Sequence, residues 1–110
     1  MMNEEEVRRF IAGRRVFNFD PETRAFAAEV EYRADGACAL RFATGEAEAG
    51  VYGFEGDAYW TRYDAFRGGA RHAFRLEPLG PGLAQAWFTT GARAFLQCHM
   101  PELPEPVTRS

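Results

Sequence analysis

The sequence predicts a mainly β protein: one short N-terminal helix, then an up-and-down antiparallel meander of roughly eight strands that closes into a barrel. The hydrophobic period changes from helical to two after Gly13. Short alternating runs then follow one another, separated by connections rich in turn-forming residues. Closure into a barrel best removes the exposed edges of such a sheet. The length of 110 residues suits one domain with a single core.

The N-terminal helix is predicted over residues 3–13. Asn3 is a suitable N-cap, and the three glutamates after it lie at the positive end of the helix dipole. Glu6 stands at the third helical position, as in a capping box. An apolar stripe with helical spacing begins at Val7, and Gly13 is a natural end for the helix.

The remaining chain up to residue 100 is predicted to form strands, which complete a barrel domain over residues 1–100. The tail, residues 101–110, holds three prolines and is expected to be extended or disordered. The predicted strands are residues 14–20, 24–33, 38–42, 50–55, 58–66, 72–77, 83–89 and 93–100.

The alternation of apolar and charged residues selects the turn between the second and third strands. A two-residue turn would set Val30 beside Arg41, on the charged face. A three-residue loop at residues 34–36 instead pairs Val30 with Leu40. We therefore expect the three-residue loop, with Gly36 in a left-handed conformation.

The composition excludes several classes of function. The net charge of −3 argues against nucleic-acid binding, which needs a strongly basic face. All 13 basic residues are arginine, so chemistry that needs a lysine is excluded. No apolar run approaches the ~20 residues that span a bilayer, so no membrane partner is expected. Cys38 and Cys98 lie in apolar strand phases and are predicted to be buried thiols in a reducing compartment, which favours a soluble, cytoplasmic protein.

Residue spacing gives no support for metal or nucleophile chemistry. The two histidines are His72 and His99, and Cys98 beside His99 would point to the opposite face of its strand. The one serine, Ser110, lies in the tail, and the sequence has no phosphate-binding glycine loop. We expect no metal ion and no other cofactor.

The fifth strand allows two orientations. A two-residue turn at residues 68–69 would pair Tyr63 with Phe74 and direct Arg62 and Asp64 to solvent. The preceding two-residue turn, at residues 56–57, would pair Phe54 with Tyr59 and leads to the same orientation, which is therefore preferred. The alternative stays open, because buried charges there would indicate a function. A three-residue loop would direct into the barrel Trp60, Arg62, Asp64 and Phe66.

Polar side chains are predicted inside the barrel in either orientation. Tyr52, His72 and Gln85 have inward phases, Gln85 together with Trp87, and Tyr63 joins them in the preferred orientation. In one interpretation the barrel is fully packed and these groups bond to one another or to the backbone. In the other they converge on a small cavity and orient a planar or acyl ligand.

The order of the elements resembles the calycin plan of the lipocalin-like small barrels, over nearly the whole chain. Residues 13–17 contain the glycine of the lipocalin Gly-x-Trp motif without its tryptophan. Arg93 is the candidate for the arginine that lipocalins carry near the end of the last strand. The resemblance implies a cup that holds one small apolar ligand.

Three functional hypotheses follow. The first is a binding module for a small hydrophobic ligand. The second is an enzyme that uses His72 as acid or base, with a tyrosine and an inward Arg62 stabilising an anion. The third is a homodimer formed through exposed Trp60 and Phe66. The predicted ligand-binding residues are Tyr52, Tyr63, His72, Gln85 and Trp87, with Trp60, Arg62 and Asp64 if these face inward.

Overall fold

One helix and eight antiparallel strands form the chain in the computed structural model, which describes residues 1–104. Each strand pairs with the next, and β1 also pairs with β8, so that the sheet closes into a barrel. The predicted fold class is confirmed. The elements are α1 (Glu4–Ile11), β1 (Arg15–Phe19), β2 (Phe26–Tyr32), β3 (Ala37–Phe42), β4 (Ala47–Glu55), β5 (Ala58–Tyr63), a 3-10 turn (Phe66–Gly69), β6 (His72–Gly80), β7 (Leu83–Phe88) and β8 (Arg93–Cys98).

Helix α1 covers one end of the barrel. The Asn3 side chain accepts from the Glu6 N–H and the Glu6 side chain accepts from the Asn3 N–H, which completes the predicted capping box. The apolar stripe that begins at Val7 is buried in the same cluster as Val16 and Leu76 of the barrel. His99 fixes the end of the helix, because its Nε2 lies 2.8 Å from the Phe10 carbonyl oxygen.

Two predicted turns are confirmed by the pairing of their strands. Val30 lies opposite Leu40, as the three-residue loop requires, and Gly36 has a φ of 95°. Phe54 lies opposite Tyr59 across the two-residue turn at residues 56–57. The register between β4 and β5 therefore directs Tyr59 and Tyr63 inward, as predicted.

The connection between β5 and β6 is longer than predicted. Tyr59, and not Tyr63, lies opposite Phe74, so the register of β5 against β6 is shifted by four residues from the predicted one. The Glu48 carboxylate accepts the backbone N–H groups of Ala65 and Phe66, which draws the chain out of the strand. Residues 64–71, the Arg67 loop, consequently fold over the end of the barrel opposite α1.

The shift of four residues preserves the orientation of β5. Tyr63 is buried, whereas Arg62 and Asp64 are exposed, so the preferred solvent-facing orientation is confirmed. Trp60 also lies on the outer face but is half-buried and not exposed. Its ring covers Gly53, where a Cβ atom would lie 2.7 Å from the indole.

A second, smaller apolar cluster lies on the outer face of the barrel. Cys98 and Leu96 pack there against Phe19 of β1, under a segment that includes Leu103. Both cysteines are free and buried, as predicted. Residues 105–110 of the predicted tail lie outside the described residues. None of the helical segments in the described part of the chain has the length and hydrophobicity needed to span a membrane.

Candidate functional site

An interior cavity of about 110 Å³ lies between the middle of the barrel and the Arg67 loop. Its surface is largely aromatic and aliphatic, with few polar atoms. A cavity of ~150 Å³ with an apolar lining is large enough to bind benzene. The residues that line the cavity are Asn18, Ala27, Ala28, Tyr32, Leu40, Phe42, Tyr59, Thr61, Tyr63, Phe66, Arg67, Phe74 and Phe95.

The cavity has a buried floor and a solvent-accessible mouth. Tyr59 and Thr61 at the floor are almost completely buried. Ala27, at the start of β2, is exposed, and Phe66 and Arg67 of the loop are half-buried. Within residues 1–104, the cavity therefore opens at the end of the barrel that the Arg67 loop covers, and α1 covers the other end.

A buried amide network fixes the polar atoms of the floor. The Gln97 side chain, completely buried, donates from Nε2 to the Tyr59 hydroxyl at 2.7 Å and to Asn18 Oδ1 at 3.3 Å. Among residues 1–104, Gln97 Oε1 has no hydrogen-bond partner. Buried polar atoms are normally paired, so this oxygen is an exception within the network, and Gln97 itself does not line the cavity.

The floor is electrically neutral at physiological pH. Burial raises the pKa values of Tyr32, Tyr59 and Tyr63 above the ordinary tyrosine value, so all three hydroxyls keep their protons. Burial also raises the pKa of the Cys38 thiol to about 11. These hydroxyls can donate hydrogen bonds but carry no charge that would repel an anion.

Gly50 determines the position of Tyr63. The two residues lie opposite each other, and a Cβ atom at Gly50 would lie 2.6 Å from Cδ1 of the Tyr63 ring. The missing side chain lets the ring lie against β4, where it forms part of the cavity wall. Any larger residue at position 50 would have to displace the ring.

Arg67 extends from the loop into the aromatic mouth. Its backbone is left-handed, with φ 58° and ψ 32°, which is unusual for a residue with a side chain. Burial lowers the pKa of its guanidinium, and the neighbouring tyrosines oppose that effect. The guanidinium carbon lies over four rings, at 4.8 Å from Phe66, 5.5 Å from Phe74, 5.3 Å from Phe88 and 5.9 Å from Phe95.

Only one of the predicted site residues lines the cavity. Tyr63 does so, but Tyr52 is buried near α1, where its hydroxyl donates to the Arg33 carbonyl. His72 lies at the rim, with its ring 6.0 Å from Phe88, and is absent from the cavity wall.

The expected inward phase of Gln85 and Trp87 is wrong. Their neighbours Ala84 and Ala86 are the inward residues of β7, and Trp87 donates from Nε1 to the Glu77 carboxylate on the outer face. Gln85 is buried but donates to the backbone, at 2.8 Å from the Ala86 carbonyl oxygen. Phe88, on the same phase as these alanines, also packs against the core.

Phe66 is also placed differently from the prediction, and Arg67 was not predicted as a site residue. Phe66 turns back into the barrel, 5.1 Å from the Phe42 ring, because the loop folds over the mouth. Arg67 follows it on a segment with no strand alternation, so no periodic pattern indicated its direction. The one available signal was an arginine between an aromatic residue and two glycines.

Comparison of the chain with protein-family models, curated proteins and solved structures gave no match. Its architecture, an eight-stranded closed meander, is consistent with the calycin plan. Among residues 1–104, no cluster of three or more histidine, cysteine, aspartate or glutamate side chains is arranged to hold a metal ion. The chemistry available at the cavity is therefore that of hydroxyl and amide groups, aromatic rings and one guanidinium.

Proposed function

We propose that the barrel binds one small, mainly apolar molecule in its cavity, as the lipocalin-like architecture suggests. The observation that carries this proposal is the cavity itself, with its aromatic wall and a few polar groups at the floor. Ligand sites commonly combine an apolar lining with a small number of fixed polar atoms that orient the ligand. Here Asn18 and Thr61 are such groups.

The cavity volume limits the size of the ligand. About 110 Å³ is somewhat smaller than the ~150 Å³ that accommodates benzene. A single ring or a short branched chain therefore fits after small movements at the mouth, whereas a long acyl chain does not.

The proposal is tested by NMR titration of ¹⁵N-labelled protein with toluene as a neutral apolar probe. We expect saturable shifts at amides of Leu40 and Thr61, which line the cavity. The Ala28→Leu variant, which fills the cavity from its wall, should abolish these shifts. Ala49→Leu adds the same side chain at an exposed position and should leave them unchanged. Shifts confined to surface residues, or equal shifts in Ala28→Leu, would contradict the proposal.

The two alternative hypotheses receive less support. The enzyme hypothesis required an inward Arg62, but Arg62 is exposed and His72 lies outside the cavity. The homodimer hypothesis required exposed Trp60 and Phe66, which are both half-buried. Self-association stays a prediction, and sedimentation of concentrated protein would measure it directly.

A further inference from the structure

We infer that the ligand carries a single carboxylate, which pairs with the guanidinium of Arg67 while its apolar body occupies the cavity. This inference rests on the proposed function and names the chemical class of the ligand: a small aromatic or branched monocarboxylic acid. Its basis is a half-buried cation at the mouth of an apolar cavity.

The position of the guanidinium places it within reach of a bound ligand. Phe74 and Phe95 line the cavity, and the guanidinium carbon lies 5.5 Å and 5.9 Å from the centres of these rings. Arg67 is itself part of the cavity wall. A ligand that fills the cavity therefore presents its outer end to this guanidinium.

Among the arginines of residues 1–104, Arg67 is the one that is half-buried and has no acidic partner. In the described part of the chain, eight arginines form ion pairs with aspartate or glutamate, all of them on the surface. Within residues 1–104, no carboxylate oxygen lies within 4.0 Å of the Arg67 guanidinium. Aromatic faces stabilise such a cation only in part, and a partly desolvated charge gains most from an anionic partner.

The backbone at Arg67 supports a functional reason for the side chain. The left-handed conformation is unfavourable for arginine and natural for glycine, which occupies the next two positions. The Glu48 carboxylate holds the loop in place by accepting the N–H groups of Ala65 and Phe66. Strain of this kind persists when the surroundings impose it, and it is typical of ligand-binding segments.

The charge of the site favours a carboxylate over a phosphate. Arg67 supplies one positive charge, and the tyrosine hydroxyls near it are neutral, as burial raises their pKa values. A monocarboxylate balances that charge and matches the planar fork of the guanidinium with two parallel hydrogen bonds. A phosphate dianion would leave an excess negative charge among phenyl rings.

The test compares three probes of similar shape by NMR titration: benzoate, benzamide and toluene. We expect wild-type protein to bind benzoate at least ~10-fold more tightly than benzamide, because a hydrogen-bonded ion pair replaces a neutral contact. Arg67→Gln should remove this preference and keep toluene binding. The matched control is Arg62→Gln, which changes an exposed arginine on the outer face and should retain the preference.

The possible results separate the inference from the proposed function. Toluene binding without a preference for benzoate would overturn the carboxylate inference alone. A preference that survives in Arg67→Gln would also overturn it, and would mean that Arg67 only closes the mouth by contact with the rings. Failure of all three probes to bind would overturn the proposed function as well. Arg67→Asn, which tolerates the left-handed backbone, replaces the glutamine variant if the latter fails to fold.

Discussion

Filling the cavity from its wall should make the protein more stable. Ala28 is buried on β2 and lines the cavity, so a leucine there would extend into empty space. An enclosed apolar cavity costs ~24 cal/mol per Å³, so about 2.6 kcal/mol is an upper limit for about 110 Å³ with a solvent-accessible mouth. Three added carbon groups contribute about 2.4 kcal/mol by transfer from water. Some strain is unavoidable, so we expect Ala28→Leu to raise the free energy of unfolding by ~1–2 kcal/mol.

The matched control places the same leucine where the structure has no space. Ala86 is completely buried on the inward face of β7 and does not line the cavity. Ala86→Leu should therefore lower the free energy of unfolding by ~1–3 kcal/mol through overpacking. The two variants have identical composition, which removes differences in hydrophobicity from the comparison.

Urea denaturation followed by tryptophan fluorescence measures both variants. The m-values should equal that of the wild type, so that midpoint shifts report stability. A stabilised Ala28→Leu beside a destabilised Ala86→Leu is the expected result. Equal destabilisation of both variants would refute the reasoning, because it would mean that the barrel is packed at Ala28 as tightly as at Ala86.

Three further predictions concern the Arg67 loop, the end of helix α1 and a buried thiol. Glu48→Ala removes the acceptor of the Ala65 and Phe66 N–H groups, so benzoate affinity should fall roughly tenfold, while Glu46→Ala should have no effect. The pKa of His99 lies below its ordinary value of 6.5, mainly because the ring is partly buried. The free energy of unfolding should therefore fall as the pH is lowered from about 7 to about 5, and it should fall less in His99→Gln. Folding raises the pKa of Cys38 from 9.0 to about 11, so the free energy of unfolding should decrease as the pH rises from about 9 to about 11. Cys38→Ala should weaken that dependence.

Each of these predictions has a result that contradicts it. Unchanged benzoate affinity in Glu48→Ala would show that the loop holds Arg67 without this anchor. For His99, the folded state resists protonation, so greater stability at the lower pH would reverse the expected sign. For Cys38, the unfolded thiol ionises first, and a flat stability profile at alkaline pH would mean that the folded thiol ionises as readily. Thermal melting across a pH series measures both.

The overall fold was predictable because its signals are local. The alternation in β2 and the short turn at residues 56–57 determine register within a few residues of each turn. The length of the Arg67 loop was not predictable in this way. It depends on Glu48, which lies 17 positions before Ala65 and captures its backbone only in the folded chain.

The interior of β7 and the cavity residues illustrate a second limit. Both faces of β7 and β8 are buried, because the apolar cluster around Cys98 covers part of the outer face. Polarity then no longer alternates along these strands, so the sequence pattern wrongly predicts an inward direction for the larger side chains of Gln85 and Trp87. Arg67 lies on an irregular segment, so its direction depends on tertiary contacts alone.

In this account, a ligand occupies the barrel cavity and places its carboxylate against Arg67 at the mouth. An isotope-filtered NOE experiment on the benzoate complex is the most direct test of this arrangement. We predict contacts between the ring protons of benzoate and the methyl groups of Ala28 and Leu40, which lie inside the cavity. The side-chain Hε resonance of Arg67 should shift in the same sample, since its guanidinium would pair with the carboxylate. Contacts only to outer-face residues, or no contacts at saturating benzoate, would contradict the account.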